Sequence, residues 1–292
     1  MIGPTAATDA LWAGYVSATG ATDELTAIDT FGDGPELITE LVGLVVEGRK
    51  RATAGLVRDH GGDGPPMPRP GDLWMVVDAE GEPVCILRTT DVRVGPLSSV
   101  DDDFAWEEGE GDRSRAGWLA DHMRYFGRRA ESEGWGLTED EPCVFERFRV
   151  VWPPAIADPA GPRAIDLTER YVHLGPTGRG AEVPVGPDFW ADLPHRTDIG
   201  NGRLAMVSRS DETWPHWERH PEGEELVVLM SGRADLVLEL ATGEHIVELE
   251  PGLAVLVPPG IWHRAIVHEP ARMLTVTHGK GTEHRPHGSG AA

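Results

Sequence analysis

Two stretches of the chain set groups that could do chemistry at short spacings. In the first, Lys50 and Thr53 stand three residues apart, just beyond a segment with helical spacing and a Glu47-Gly48-Arg49-Lys50-Arg51 turn. An amine and a hydroxyl so placed can project toward one cleft, and a carboxylate from a distant loop can close it. In the second, His216-Trp217-Glu218-Arg219-His220 precedes Glu225, and Gly252, Pro258-Pro259-Gly260 and His263 follow. Imidazoles and carboxylates are the donors that hold borderline divalent ions when a fold brings them to one point.

Composition gives Lys50 extra weight. Of 26 basic residues only Lys50 and Lys280 are lysines. Unlike a guanidinium, an amine can lose its proton near neutral pH when it is desolvated or crowded by cations, and Arg49 and Arg51 flank this one. The same Gly-Arg-Lys-Arg turn also suits compensation of a dipole at a helix C-terminus.

The elements that must position these groups fall into two sets. Apolar residues at 37, 38, 41, 42, 44 and 45 predict an amphipathic helix over 35–46 that stops at Gly48. Strand-like runs follow at 72–77 and 84–89, hinged by Glu80-Gly81-Glu82-Pro83, then a helix around 114–130 and a strand over 144–151. Pro153, Pro154, Pro159 and Pro162 interrupt the pattern, which places a linker at 153–163. Beyond it, short β-branched runs at 225–230, 235–240, 245–250 and 254–257 alternate with Gly-containing turns, the spacing of an all-β domain. The Gly-, His- and Pro-rich end, 281–292, is expected to be a flexible tail, as it has nothing to pack.

The charge balance narrows the partners. Forty-nine acidic residues give a net charge of −23, a field that repels long polyanions. Two cysteines, Cys85 and Cys143, are too few for a disulfide framework or a cysteine zinc site and are expected to be ordinary buried thiols. No apolar run approaches the roughly 18 residues of a membrane span, and the opening MIGPTAATDALWAGYV lacks an export pattern. The expectation is a cytoplasmic protein with no membrane partner.

The first set of motifs resembles the ASCH family. The resemblance rests on Phe31-Gly-Asp33-Gly-Pro35, on Glu47 through Ala54, on Gly71 to Asp78 with Cys85 to Thr90, and on Phe104 to Ser114. It implies an α+β, PUA-like β-barrel with flanking helices over 30–152, preceded by an N-terminal extension at 1–29. It further implies either an amidohydrolase acting on a modified nucleoside such as N4-acetylcytidine or an RNA-binding module, with ribonuclease activity in some members and binding alone in others. In the amidohydrolase members a Lys, a Thr three residues later and a Glu are the implied catalytic residues. Lys50 and Thr53 match directly; Glu108 is chosen over its neighbours Glu107 and Glu110 by the register of Ala105. Arg49, Trp106 and Arg113 are the expected substrate contacts, with Trp106 placed to stack on a base and Gly109 and Gly111 free to let backbone approach a ligand. The partner implied is a small modified nucleoside or short single-stranded RNA.

The second set resembles the two cupin motifs in order, and so implies an all-β jelly roll over 164–280. By that resemblance His220, Glu225 and His263 are ligands of a divalent ion such as iron, manganese, nickel or zinc. Glu218 stands where the family's first histidine is expected. A carboxylate can also ligate, and His216 would replace it only if the strand bulged. The alternative is a metal-free pocket for a small organic ligand. The cupin resemblance also implies a homodimer, and the fusion allows a sensor in which a cupin ligand modulates the neighbouring domain.

Overall fold

The structure, a computed structural model, describes residues 2–61 and 64–288. The chain divides into two compact units, Met1–Arg163 and Ala164–Ala292.

The first unit contains α1 (Ala6–Thr19), β1 (Leu25–Asp29), α2 (Pro35–Val46), β2 (Ala52–Leu56), β3 (Leu73–Val77), β4 (Pro83–Pro96), α3 (Asp102–Glu108), α4 (Arg115–Glu133) and β5 (Pro142–Trp152). Its five strands pair in the order β1-β3-β4-β5-β2, with β1 parallel to β3 and the other pairs antiparallel. α2 begins where the sequence predicts, because Pro35 fills the first turn, where a missing N–H costs nothing. Its Leu41, Val42, Leu44 and Val45 pack on Phe31, Val76, Leu87 and Phe148. A second core joins α3 and α4 to Ala52, Leu56 and Phe145, and Tyr15 of α1 covers Leu73, Met75 and Ile86. Residues 6–29 are therefore part of this unit's packing and supply an edge strand.

The proline stretch expected as a linker starts on the same unit. Ile156 packs against the α2 core, while the Asp158 carboxylate accepts from Arg51 Nη2 at 2.6 Å and from the Val150 amide at 2.8 Å.

The second unit contains β6 (Arg170–Leu174), β7 (Gly180–Pro184), a single helical turn α5 (Phe189–Asp192), β8 (Arg203–Ser210), β9 (His216–Arg219), β10 (Glu225–Leu240), β11 (Gly243–Leu249), β12 (Ala254–Val257), β13 (His263–Thr277) and β14 (Glu283–Pro286). Pairing follows β11-β10-β13-β8-β6-β7, with β12 on β10 and with β9 between β13 and β14. Two runs expected as separate strands, 225–230 and 235–240, are one long strand whose register with β13 shifts between Leu229 and Ala234. Gly232 occupies that bend at φ +85°; a Cβ there would lie 2.3 Å from the Pro270 carbonyl oxygen, so only glycine permits the approach.

The expected flexible tail is corrected. Its residues 283–286 form β14, which pairs with β9 from Glu283 opposite Arg219 to Pro286 opposite His216. Pairing requires backbone donors and acceptors, and the free edge of β9 supplies them to a segment with few apolar side chains. Residues 289–292 of that expectation lie outside the described residues. Among the described residues no helix is long and apolar enough to cross a membrane.

Candidate functional site

In the first unit the turn after α2 directs Lys50 inward. Gly48 takes φ +89°, and the amides of Arg49 and Lys50 both bond to the Leu44 carbonyl, at 2.9 and 3.0 Å. Arg51, not Lys50, serves the helix end, donating from Nη1 to the Val45 carbonyl at 2.9 Å. Lys50 is 1% exposed. Its ammonium donates to Glu110, lies 3.5 Å from Glu108 Oε1 and sits 5.3 Å from the Phe31 ring centroid.

Glu108 reaches this point because α3 ends against the turn. Asp101 caps α3 by accepting from the Phe104 amide at 2.7 Å, and Gly109 closes the helix at φ +77°. A Cβ on Gly109 would lie 2.4 Å from the Arg49 carbonyl oxygen, so this glycine permits a close approach to the Arg49–Lys50 backbone rather than to a ligand. Opposite stands α4, whose Trp118, His122, Phe126 and Ala130 recur at helical spacing on its buried face. The Trp118 indole donates to Glu108 Oε2, and His122 Nε2 lies 3.6 Å from the same oxygen.

Burial disfavours charge on every member of this cluster, yet the partners outweigh it. The charges of Glu110 and Glu108 raise the Lys50 pKa, and those of Lys50 and His122 lower that of Glu108. The Glu108 charge likewise raises the His122 pKa. This corrects the expectation that flanking arginines would free the amine of its proton: two carboxylates hold Lys50 as an ammonium.

Thr53 is placed elsewhere. On β2 it stands opposite Glu146 of β5, while Ala52, Ala54 and Leu56 face the α3–α4 core. With Gly55, His60, Pro68, Val144 and Glu146 it lines a cavity of about 140 Å³. Among the described residues no hydrogen bond joins Thr53 to Lys50 or Glu108. Thr89 Oγ1 donates to Glu146 Oε1 at 2.5 Å, and burial raises the Glu146 pKa despite that bond. Of the expected substrate contacts, Trp106 and Arg113 meet each other. The guanidinium lies 3.6 Å from the indole centroid and donates to the Trp106 carbonyl at 3.0 and 2.8 Å, so the ring belongs to the wall of the unit rather than to an open stacking platform. Arg49 Nη2 reaches the Gly109 carbonyl at 3.4 Å. Both cysteines are buried, and burial pushes each thiol up to about 12.

In the second unit four predicted residues converge. Glu225 opens β10, His263 opens β13, Glu218 of β9 pairs with His263, and His220 follows β9 directly. One donor atom from each lies within 4.8 Å of the others. His263 Nε2 is 2.7 Å from Glu225 Oε2 and 3.5 Å from Glu218 Oε1; His220 Nε2 is 3.2 Å from Glu225 Oε2. Burial opposes a charged His263, but hydrogen bonds to Glu218 and Glu225 push it up to about 10. Supporting groups fix the rings from behind: His263 Nδ1 lies 3.1 Å from the Ile261 carbonyl, and His220 Nδ1 lies 2.9 Å from Thr282 Oγ1. Thr277 Oγ1 donates to Glu225 Oε1. His220 Nε2 is buried without a well-formed hydrogen bond.

His122, Thr277 and Thr282 were not predicted, and Glu110 was weighed only as an alternative to Glu108. His122 carried a signal, a polar residue on an otherwise apolar helical stripe; the two threonines carried none, since their partners lie far away in sequence.

Residues 27–152 match the family model of the ASCH domain, and residues 206–277 that of the cupin domain. The chain belongs to the ASCH domain family through its N-terminal unit and carries a cupin domain in its C-terminal unit. Among solved structures it is similar to the ASCH domain from Lactobacillus crispatus, at 30% identity over 51% of this chain and 96% of that one, with a TM-score of 0.47. It is similar to a protein from Enterococcus faecalis at 26% identity over 49% of this chain and 86% of that one, with a TM-score of 0.45. A cupin-2 domain containing protein from Shewanella frigidimarina aligns at 15% identity over 26% of this chain and 69% of that one, with a TM-score of 0.23. No curated protein matches the chain.

The Lys50 cluster generates a pH-dependent prediction. A raised His122 pKa contributes stability that is fully present below its ordinary value of 6.5 and is lost as the pH rises through the folded value. The lowered Glu108 pKa contributes stability present above 4.5 and lost as the pH falls through the folded value. In Glu108→Gln the His122 titration, followed by NMR, is expected to move down from its wild-type midpoint. An unmoved midpoint would mean that Glu108 is not its counter-charge.

Proposed function

We propose that the C-terminal unit is a divalent-metal-binding cupin domain, in a jelly roll, and that the N-terminal unit is a hydrolase for small nucleoside amides on a PUA-like barrel. One observation carries the metal reading: the Nε2 atoms of His220 and His263 and the carboxylates of Glu218 and Glu225 meet in a buried space, with His220 Nε2 lacking a well-formed bond. A buried polar atom left unsatisfied costs about 1–3 kcal/mol, a cost that an ion removes. Two imidazoles with carboxylates suit iron, manganese, nickel or zinc. When bound, such an ion supplies a Lewis acid for a carbonyl or a water. The protein's own part is to hold the donors: Thr277 fixes Glu225, Thr282 and the Ile261 carbonyl orient the two rings, and Glu218 and Glu225 set the charge.

The hydrolase reading is supported by the ASCH resemblance together with the buried ammonium of Lys50 and the cavity at Thr53. In this reading the Thr53 hydroxyl attacks the amide carbonyl or orients a water for the attack, and the enclosed Lys50 ammonium, just ahead of β2, positions the strand that carries Thr53. Glu108 and Glu110 keep that amine charged. Water adds across the C–N bond, releasing a nucleoside amine and a carboxylic acid. The net charge of −23 favours an uncharged nucleoside over RNA.

For the metal, the full chain incubated with Fe²⁺, Mn²⁺, Ni²⁺ or Zn²⁺ and gel-filtered is expected to retain an ion by elemental analysis. His263→Ala abolishes retention by the Glu218, His220, Glu225 and His263 cluster, and Thr282→Val weakens affinity about 10–100-fold; a wild type that retains none of the four contradicts the reading. For the hydrolase, N4-acetylcytidine should yield cytidine and acetate. Thr53→Ala and Lys50→Ala should each lower kcat by about 10²-fold or more. Undiminished turnover in both variants removes the assignment.

A further inference from the structure

We propose that Glu218 is a bridging carboxylate and that His216, Glu218 and His284 form a second, outer site for a divalent cation beside the inner one. The inference rests on the metal reading of the C-terminal unit and extends it from one ion to a pair.

The arrangement follows from β9 and β14. Side chains alternate along a strand, so His216 and Glu218 share one face of β9, and antiparallel pairing sets His284 directly opposite Glu218. One donor atom from each of the three lies within 4.8 Å of the others, and the two imidazole rings are 5.2 Å apart. No bulge is needed for His216 to reach this face; it joins the outer group rather than replacing Glu218 in the inner one.

The two oxygens of Glu218 point different ways. Oε1 lies 3.5 Å from His263 Nε2 of the inner cluster, and Oε2 lies 3.4 Å from His284 Nε2. A carboxylate can give one oxygen to each of two ions about 3.5–4 Å apart. A neutral histidine at this position could present only one lone pair, because its other ring nitrogen carries the proton. Two adjacent dications also need negative charge, which Glu218 and Glu225 provide.

The opposite face of the same strand pair takes the cations. Arg219 pairs with Glu283 at 2.7 Å and Arg285 with Glu239 at 2.7 Å, and both guanidiniums lie over the Trp262 ring, at 4.7 and 4.5 Å. Strand alternation thus keeps the arginines off the face that bears His216, Glu218 and His284. His284 is exposed and His216 half-buried, so solvent can complete the coordination of an outer ion and ions can enter from that side.

The test is titration of the chelator-stripped full chain with Co²⁺, following the visible d–d bands and the bound metal at saturation. Wild type is expected to bind two ions per chain. His284→Ala, His216→Ala and Glu218→His should each bind one, with His263→Ala losing the inner ion. A wild type that saturates at one ion, lost in His263→Ala but kept in His284→Ala, overturns the outer site and leaves the metal reading standing. Absence of any bound Co²⁺ overturns both.

Discussion

Charge held out of water beside its opposite is the interaction around which both units are arranged. Lys50 is enclosed with Glu108 and Glu110, and His263 lies between Glu218 and Glu225. An isolated buried charge costs several kcal/mol, so each of these groups obliges the chain to bring its partners to it. The backbone complies at specific glycines. Gly48 turns Lys50 inward and Gly109 lets α3 end against that turn, while Gly232 bends β10 on the sheet that carries Glu225 and His263.

The two clusters differ in how completely the protein satisfies them. Around Glu108, the ammonium of Lys50, the indole of Trp118 and the imidazole of His122 fill both carboxylate oxygens. That site is closed and suits a fixed positive charge rather than a titrating base. Around Glu225, His220 Nε2 has no well-formed bond and two carboxylates face one another across a shared histidine. That site has donor capacity left over, which is what a cation uses.

Much of this was legible in the sequence where local rules decide. The bounds of α2 follow from Pro35, the apolar spacing and Gly48, and β12 stands at 254–257 as its β-branched run predicts. The convergence of Glu218, His220, Glu225 and His263 was legible because the motif fixes turns, and turns are local. What escaped depends on distant partners. β1 is a strand because it finds the edge of β3, and β14 because it finds β9, though neither carries strong strand patterning. The charge state of Lys50 was misread for the same reason: Arg49 and Arg51 adjoin it in sequence, but Glu108 and Glu110 adjoin it in space. Trp106 and Arg113 were read separately as substrate contacts, and their packing on each other, seven residues apart across the end of α3, was not legible.

The central claim is that a divalent ion is held by imidazole and carboxylate in the C-terminal unit. X-ray absorption at the zinc edge of the full chain carrying one equivalent of Zn²⁺ tests it most directly. The account predicts imidazole scattering with Zn–N distances of about 2.0–2.1 Å, and a halved imidazole contribution in His220→Ala. A shell of oxygens alone, or one unchanged by His220→Ala, would contradict it.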